Sequence, residues 1–257
     1  MKRLPPVEFP RHTSGFDPTA QPVIASPQLP QLAPGTLGLP FIRRAFSTRF
    51  TWQVEPVFTN LFDLDTTGRA DIRQAAVFIP LVERPDGVHV MFTRRAAHLY
   101  NHAGQICFPG GRIEDTDPDF VQAALRETWE EVGVEPRFIE LIGTQPSFLT
   151  STRYTMKPVI GALRPGYTLV PDRSEVEEIF EVPIATLLNP QLHRLHEIRP
   201  TEGLPRHFFS VSWGSYFIWG ATAALIRNMY HYLAAAEASG LIDLPDRPAH
   251  SLSHRPQ

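Results

Sequence analysis

The chain has 257 residues, of which 42% are hydrophobic and 20% charged, and its formal net charge is -3. This composition is typical of a globular protein with one large domain or two small ones. The slight negative charge gives no support for a nucleic-acid or acidic-membrane partner, so any bound polyanion must be held by a local site. The single cysteine, Cys107, excludes an intrachain disulfide. Because the sequence also lacks an apolar run typical of a signal peptide or membrane span, we predict a cytoplasmic protein with no membrane partner.

The first 40 residues are dense in proline, with nine in this stretch. Proline disfavours both helix and sheet. We therefore predict a proline-rich, mostly irregular N-terminal arm at residues 1–40, which either lies against the domain or is disordered. Residues 41–240 are predicted to form a single domain, and residues 241–257 an irregular C-terminal tail.

Two segments near the start of this domain have the pattern of a β-hairpin. Residues 73–83 form a mostly apolar, β-branched run, residues 88–95 alternate, and the turn Pro-Asp-Gly lies between them. Further elements follow in chain order: strands at 137–143 and 155–163, a short helix at 183–189, two strands within 206–220 joined by a turn, and a long helix at 221–238. Strands interleaved with few helices predict a mixed α/β or α+β domain with two helices packed on a sheet.

A helix is predicted at about 118–132, after the sequence Phe-Pro-Gly-Gly. Asp117 is expected to be its N-cap, Pro118 suits the first helical position, and Gly133 can end the helix. This helix is expected to have an apolar stripe for the core and an acidic stripe on another side.

The acidic stripe consists of Glu127, Glu130 and Glu131, which share one face because they lie three or four positions apart. Clustered carboxylates repel one another unless a cation lies among them, and hard divalent ions such as Mg²⁺ favour oxygen ligands. A bare E-x-x-E-E is more often a solvated acidic face. The pattern by itself therefore leaves a metal site and a plain surface open.

The neighbouring residues favour the metal site. Gly110 and Gly111 lie upstream of the helix and let the backbone approach a ligand or metal closely. Arg126 precedes the first glutamate and can pair with a carboxylate and orient it.

Residues 110–134 resemble the Nudix box, written G-x5-E-x7-R-E-U-x-E-E-x-G-U. The matching positions are Arg126, Glu127, Glu130, Glu131, Gly133 and Val134. Thr128 replaces an aliphatic residue. A one-residue insertion in the loop places Asp117 or Pro118 where the family has a glutamate, and we assign Asp117 no metal role.

The resemblance implies a Nudix-type α/β/α sandwich with a mixed sheet. It also implies hydrolysis of a pyrophosphate bond in a nucleoside diphosphate linked to another group, with Mg²⁺ or Mn²⁺ as cofactor. Glu127, Glu130 and Glu131 would then be the metal ligands, and Arg126 belongs to the predicted catalytic set.

Residues 91–111, MFTRRAAHLYNHAGQICFPGG, resemble the additional signature of the Nudix subgroup that hydrolyses coenzyme A, L-L-T-x-R-[SA]-x3-R-x3-G-x3-F-P-G-G. The matching positions include Arg95, Gly104, Gly110 and Gly111, and the resemblance implies that they bind substrate. Tyr100 stands where the signature has its second arginine. Arg94 can substitute for that arginine, and Tyr100 can stack on an adenine.

The general base is predicted either in the box or among Glu175, Glu177 and Glu178, whose alternative interpretation is a solvated turn. We place Glu175 in the catalytic set. The first hypothesis is a diphosphatase that cleaves coenzyme A or acyl-coenzyme A to 3′,5′-ADP and (acyl-)4′-phosphopantetheine. The alternatives are a Nudix diphosphatase acting on ADP-ribose or another nucleoside diphosphate derivative, and a non-catalytic nucleotide-sensing module. The expected partner is a small CoA-like nucleotide, and a homodimer is possible.

Overall fold

The computed structural model describes residues 16–26, 29–62, 71–100, 102–200 and 205–241. The strands of the described residues are β1 (Val23–Ala25), β2 (Arg73–Arg84), β3 (Gly87–Arg95), β4 (Ile106–Cys107), β5 (Gly110–Arg112), β6 (Ile139–Thr144), β7 (Phe148–Leu149), β8 (Tyr154–Leu163), β9 (Val176–Pro183), β10 (His193–Ile198), β11 (Arg206–Trp213) and β12 (Tyr216–Trp219). The α-helices are α1 (Leu39–Ser47), α2 (Phe120–Val132), α3 (Ile184–Leu187) and α4 (Gly220–Ala238). Short 3-10 helices cover Pro18–Ala20, Pro34–Leu37, Pro56–Leu61, Pro136–Phe138 and Pro190–Leu192.

The larger sheet has eight strands and contains every strand from β2 to β9. Its main path runs β4-β3-β2-β8-β6, while β5 pairs with β2, β7 with β8 and β9 with β3. Strands β2 and β8 are parallel, and the other pairs are antiparallel. The predicted hairpin of β2 and β3 is confirmed, and so is the mixed sheet.

Strand β2 shows why this sheet is covered on both faces. Ala76 and Phe78 belong to the core formed with α2, whereas Val77 and Ile79 belong to the core that contains α1 and α4. Successive side chains of a strand point to opposite faces, so an uninterrupted apolar run must bury both. The fold is therefore the mixed α+β arrangement predicted, with helices on both sides of a mixed sheet.

A second sheet was not predicted. It has the order β1-β10-β11-β12, and all its pairs are antiparallel. The predicted pair of strands within 206–220 is confirmed as β11 and β12. Strand β11 also pairs with β10, so the pair belongs to this sheet and not to the larger one. Strands β9 and β10 and helix α1 also escaped prediction.

The described part of the proline-rich segment lies against the rest of the chain. Strand β1 pairs with β10, the ring of Phe16 lies 5.7 Å from that of Trp219, and the Tyr230 hydroxyl donates to the carbonyl of Pro30. The division into arm, domain and tail stays a prediction, since residues 1–15 and the tail beyond residue 241 lie outside the described residues. Among the described helices, none is both long and apolar enough to cross a membrane.

Helix α2 begins two residues later than predicted, and its N-cap is Asp119 instead of Asp117. The Asp119 carboxylate accepts a hydrogen bond of 2.8 Å from the Gln122 backbone N–H. The prediction failed because the carboxylate of Asp117 is engaged elsewhere, and Pro118 accordingly lies outside the helix. The predicted end is confirmed, with Gly133 in the left-handed conformation at φ 79°.

A buried charged cluster joins the segment before the larger sheet to α4 and β10. Arg227 is 1% exposed and donates from Nε to Glu55 at 2.9 Å and from Nη1 to Nδ1 of His193 at 3.0 Å. His193 Nδ1 is thus an acceptor, and its Nε2 donates to the Leu187 carbonyl. Burial lowers the pKa of His193 to about 4. Burial alone would raise the pKa of Glu55, but the hydrogen bond from His231 and the charge of Arg227 lower it to about 2.

Candidate active site

The predicted acidic stripe of α2 faces strand β5, which carries the two glycines. The backbone N–H of Gly110 donates to the Glu131 carboxylate at 3.1 Å. Gly110 has φ 151°, and a Cβ there would lie 2.4 Å from the Ala76 carbonyl oxygen. Only glycine therefore fits at this position, and the pairing of β5 with β2 fixes the N–H that holds Glu131.

The three glutamates differ in their surroundings. The side chain of Glu131 is 5% exposed, that of Glu127 17% and that of Glu130 56%. The stripe therefore runs from the interior to the surface. A charge at its inner end is costly unless it is paired with an opposite charge.

Arg126 links the helix to the preceding loop. Its Nη1 donates to Glu127 at 3.0 Å and to Glu130 at 2.8 Å, which confirms the predicted pairing with carboxylates. On its other side, Nε and Nη2 donate to the two carboxylate oxygens of Asp117 at 2.9 and 3.0 Å, and Nη2 also reaches the Arg112 carbonyl.

Asp117 therefore anchors the arginine instead of capping the helix. Its hydrogen bonds from Arg126 hold the pKa of the Asp117 carboxyl below its usual value. Sequence reasoning missed this contact, since nine residues separate the two side chains. The one available signal was an acidic residue at the place where the Nudix box has a glutamate.

The negative charges of Glu131 and Glu127 are only partly balanced by positive groups of the protein. Burial raises the pKa of Glu131 to about 8, the Gly110 hydrogen bond and Arg95 oppose the shift, and the charges of Glu127 and Glu175 add to it. Burial also raises the pKa of Glu127, against the opposing charge of Arg126. A cation among these groups would relieve both the burial cost and the repulsion.

The residues present suit a divalent ion. The predicted ligands are all carboxylates, which hard cations prefer. Gly111 leaves open the space beside Glu127, because a Cβ there would come within 2.6 Å of that carboxylate. Within the described ranges, no three or more His, Cys, Asp or Glu side chains lie in an arrangement that could hold a metal ion as they stand. In this structure the carboxylates of Glu127 and Glu130 accept hydrogen bonds from Arg126. The metal role of the three glutamates stays a prediction.

Arg95 and Glu175 lie beside Glu131. Nη1 of Arg95 is 3.8 Å from the Glu131 carboxylate, and Nη2 is 3.7 Å from that of Glu175. Both distances exceed a direct hydrogen bond. Nε of Arg95 is buried and has no hydrogen-bond partner among the described residues. Gly104, at φ 69°, helps to hold this strand end, because its N–H donates to the Arg95 carbonyl at 3.0 Å.

Arg94 is not brought to this cluster. It pairs with Glu178 at 3.1 Å and lies over the ring of Tyr216, 5.2 Å from its centroid. Adjacent side chains of a strand point to opposite faces, which separates Arg94 from Arg95. Tyr100 is 80% exposed.

The three candidate bases outside the box do not share one environment. Strand β9 begins at Val176, so Glu177 and Glu178 lie in a strand, whereas Glu175 lies in the turn before it, where its N–H donates to the Asp172 carbonyl at 3.0 Å. The strand forms there because Val176 pairs with Arg95 at the end of β3. Glu178 is held by Arg94 and by the Tyr216 hydroxyl, and Glu177 is exposed. Only Glu175 of the three lies beside Arg95 and Glu131.

A sequence model of the NUDIX domain matches residues 72–202, just over half of the chain. The chain therefore belongs to the Nudix family and is a hydrolase that acts on pyrophosphate bonds. Nudix hydrolases generally use divalent metal ions. The matched range includes β2, α2 and the whole cluster around Glu131.

Its relatives include the uncharacterised Nudix hydrolase NudL of Escherichia coli O7:K1, which is 41% identical over 158 residues. NudL of Shigella boydii serotype 4 is 42% identical over the same length. In both cases the match covers 61% of this chain and 81% of the relative.

Solved structures with some likeness include the Nudix hydrolase RenU of M. smegmatis, with 23% identity and a TM-score of 0.37 over 44% of this chain and 71% of that one. The Nudix domain of Shewanella oneidensis NrtR, crystallised with ADP ribose, has 20% identity and a TM-score of 0.37 over 49% of this chain and 82% of that one.

Proposed function

We propose that this hydrolase cleaves the diphosphate bridge of coenzyme A or acyl-coenzyme A, giving 3′,5′-ADP and (acyl-)4′-phosphopantetheine. The observation that carries the proposal is the course of residues 91–111, which resemble the signature of the CoA-hydrolysing subgroup. This segment begins within β3, which ends at Arg95, and it reaches Gly110, whose N–H binds Glu131. Two residues of this segment, Arg95 and Gly110, thus lie beside Glu131 of the Nudix box.

Arg95 is the proposed contact for the diphosphate. Its guanidinium has donors that are not used in short hydrogen bonds to Glu131 or Glu175. Guanidinium groups bind phosphate through paired N–H donors. Arg95 would hold the anionic diphosphate beside α2. Its positive charge would reduce the electrostatic repulsion between the diphosphate and the nearby carboxylates.

Glu127, Glu130 and Glu131 are the proposed ligands of a divalent ion, Mg²⁺ or Mn²⁺. When bound, such an ion supplies Lewis-acid chemistry and neutralises charge on the diphosphate. The protein contributes positioning: Asp117 fixes Arg126, Arg126 fixes Glu127 and Glu130, and the N–H of Gly110 fixes Glu131.

Glu175 is the proposed general base. Its side chain is about half exposed and lies 3.7 Å from Arg95, next to the proposed diphosphate site. From there the carboxylate can accept a proton from the attacking water while Arg95 holds the bridge. We do not assign this role to Glu178, because its carboxylate is already bound by Arg94 and the Tyr216 hydroxyl.

A second candidate substrate is ADP-ribose, or another nucleoside diphosphate derivative. Tyr100 favours it, because the subgroup signature has an arginine at that position. The side chain of Tyr100 is largely exposed and adds no positive charge for the additional phosphate of coenzyme A. The cytoplasmic location and a homodimer stay predictions from the sequence.

Product analysis tests the proposal. The purified protein is incubated with coenzyme A and Mg²⁺ or Mn²⁺, with ADP-ribose in parallel and Glu131→Gln as the inactive control, and the products are resolved by chromatography with mass detection. We expect 3′,5′-ADP and phosphopantetheine from the wild type alone. Cleavage of ADP-ribose with coenzyme A left intact would establish the second candidate. If neither is cut with either metal, both substrate assignments are wrong, and the remaining alternatives are hydrolysis of another substrate and nucleotide sensing.

A further inference from the structure

His102 has a backbone conformation that a side chain makes costly. Its φ is 59°, in the left-handed region, where among the described residues one other non-glycine residue lies, Arg153. A residue with a side chain is strained there, and the strain persists only where surrounding contacts hold it. Residues held in this way cluster at functional sites. What the strained conformation holds in place here is the turn of residues 102–105.

The side chain of His102 closes this turn against Gln105. The backbone N–H of Gln105 donates to the His102 carbonyl at 3.1 Å, and Nδ1 of His102 lies 2.9 Å from the amide oxygen of Gln105. An amide oxygen can only accept, so Nδ1 carries the hydrogen of the second bond. The turn is thus joined twice, once through the main chain and once through the two side chains.

The turn binds both main-chain groups of Arg95. The Arg95 N–H donates to the Gln105 carbonyl at 2.9 Å, and the Arg95 carbonyl accepts from the Gly104 N–H at 3.0 Å. On the other side of the strand, the register of the pairing with β9 shifts between Arg94 and Arg95. The regular ladder is therefore interrupted at Arg95, and the turn supplies hydrogen bonds that hold its main chain.

The guanidinium of Arg95 depends on this main-chain support. Its Nε has no hydrogen-bond partner among the described residues. Its Nη atoms lie 3.7 Å from the Glu175 carboxylate and 3.8 Å from that of Glu131, beyond hydrogen-bond distance. Within the described part of the chain, no short bond of its own fixes the guanidinium. A shift of the backbone at Arg95 would therefore move the whole side chain relative to α2.

We propose that His102 is a positioning residue, which holds the turn of residues 102–105 so that Arg95 meets the diphosphate of the substrate. The inference rests on the proposed function, in which Arg95 binds the diphosphate. His102 acts through the main chain: its bond to Gln105 stiffens the turn, and the turn sets the place of the Arg95 guanidinium. Because Arg95 would bind the diphosphate before the reaction as well as during it, loss of this support should raise KM and change kcat little.

Three variants test this role in steady-state kinetics with the substrate that the wild type cleaves. His102→Gly adopts the left-handed conformation without strain but lacks the donor, and we expect KM to rise about tenfold, the scale of one lost hydrogen bond. His102→Asn should keep KM near that of the wild type, because asparagine tolerates this conformation and its amide can donate in place of Nδ1. Arg153→Gly is the matched control, since it makes the same backbone change at φ 63° in the turn before β8 and should leave KM unchanged.

A fourth variant, Arg95→Gln, separates this inference from the proposed function. It should raise KM, and adding His102→Gly to it should raise KM no further, because both changes act through one contact. If Arg95→Gln leaves KM unchanged, the proposed diphosphate contact is wrong, and this inference fails with it. If Arg95→Gln raises KM but His102→Gly does not, or if His102→Gly raises KM equally with and without Arg95→Gln, the inference alone is overturned. An equal rise in His102→Gly and His102→Asn would also overturn it.

If the wild type cleaves neither coenzyme A nor ADP-ribose, affinity for ADP, measured by titration calorimetry, takes the place of KM for the same variants. The same comparisons then decide the role of His102, although the substrate assignments have failed. Absence of ADP binding by the wild type would overturn both the diphosphate contact and the role of His102.

Discussion

Arg126 and Asp117 form a two-pronged ion pair across the start of α2, with distances of 2.9 and 3.0 Å between the guanidinium nitrogens and the carboxylate oxygens. The same guanidinium donates to Glu127 and Glu130. A residue outside the acidic stripe thus sets the position of two carboxylates within it.

Replacing Asp117 by Asn should therefore reduce activity without unfolding the protein. The amide keeps the shape but offers one acceptor and no charge, so Arg126 loses a charge-assisted pair and its hold on the glutamates loosens. We expect kcat/KM to fall about tenfold, in line with the loss of a residue that orients ligands. Asp119→Asn is the matched control, since asparagine caps a helix as well as aspartate does. Equal activity of the two variants would contradict the anchoring role.

Gly111→Ala tests the closeness of the backbone to Glu127. An added Cβ would lie 2.6 Å from that carboxylate, which is the movable end of a flexible side chain. The fold should therefore survive while Glu127 shifts. We expect the metal concentration for half-maximal activity to rise and the melting temperature to change little. Gly38→Ala is the control, because its Cβ would meet only ordinary contacts at 3.6 Å and beyond. An unchanged metal dependence would argue against Glu127 as a ligand.

Glu175→Gln tests the proposed base. Losing a general base typically costs about 10²–10⁴-fold in rate, and we expect a fall of this size in kcat. Glu177→Gln, two positions along and exposed, should retain activity near that of the wild type. Steady-state rates across pH distinguish the two variants. A fall in kcat of less than about threefold in Glu175→Gln would place the base within the box instead.

Glu55→Gln should destabilise the fold strongly. Glu55 is 2% exposed and lies 2.7 Å from Arg227, so the variant leaves a buried guanidinium without its counter-charge. Breaking a buried pair in this way costs about 3–5 kcal/mol in the free energy of unfolding. The exposed pair of Arg43 and Glu140 supplies the control Glu140→Gln, which should cost less than about 1 kcal/mol. Urea denaturation measures both, and similar losses would show that Glu55 is not a buried anchor.

The stability of the protein should also fall in mild acid because of His193. Its pKa is lowered from 6.5 to about 4 in the folded state, so the unfolded chain binds the proton first. The contribution of the neutral imidazole is complete above pH 6.5 and is lost as pH falls towards about 4. Glu55 acts in the same direction at lower pH, since its pKa is lowered from 4.5 to about 2.

His193→Gln keeps an acceptor for Arg227 and a donor for the Leu187 carbonyl but does not titrate. In urea denaturation between pH 7 and pH 4, this variant should lose less stability than the wild type. Parallel curves for the two proteins would show that His193 does not drive the acid sensitivity.

The sequence determined the parts of this protein that depend on local spacing. Glu127, Glu130 and Glu131 share a face because the helical repeat places them there, and the apolar run of β2 indicated a buried strand. The left-handed end of α2 followed from Gly133, since glycine adopts that conformation without steric cost. The Nudix box itself rests on spacing of this kind.

Tertiary structure alone decided the contacts between distant parts of the chain. Asp117 had two plausible partners, the first turn of the helix and a guanidinium nine residues away, and only the packing of the loop on α2 selects the second. Glu175, Glu177 and Glu178 have the same chemistry, and the pairing of β9 with β3 sets only Glu175 beside Arg95. Local sequence determines the directions in which side chains point from one helix or strand. The distance between two such elements depends on how their buried faces pack together.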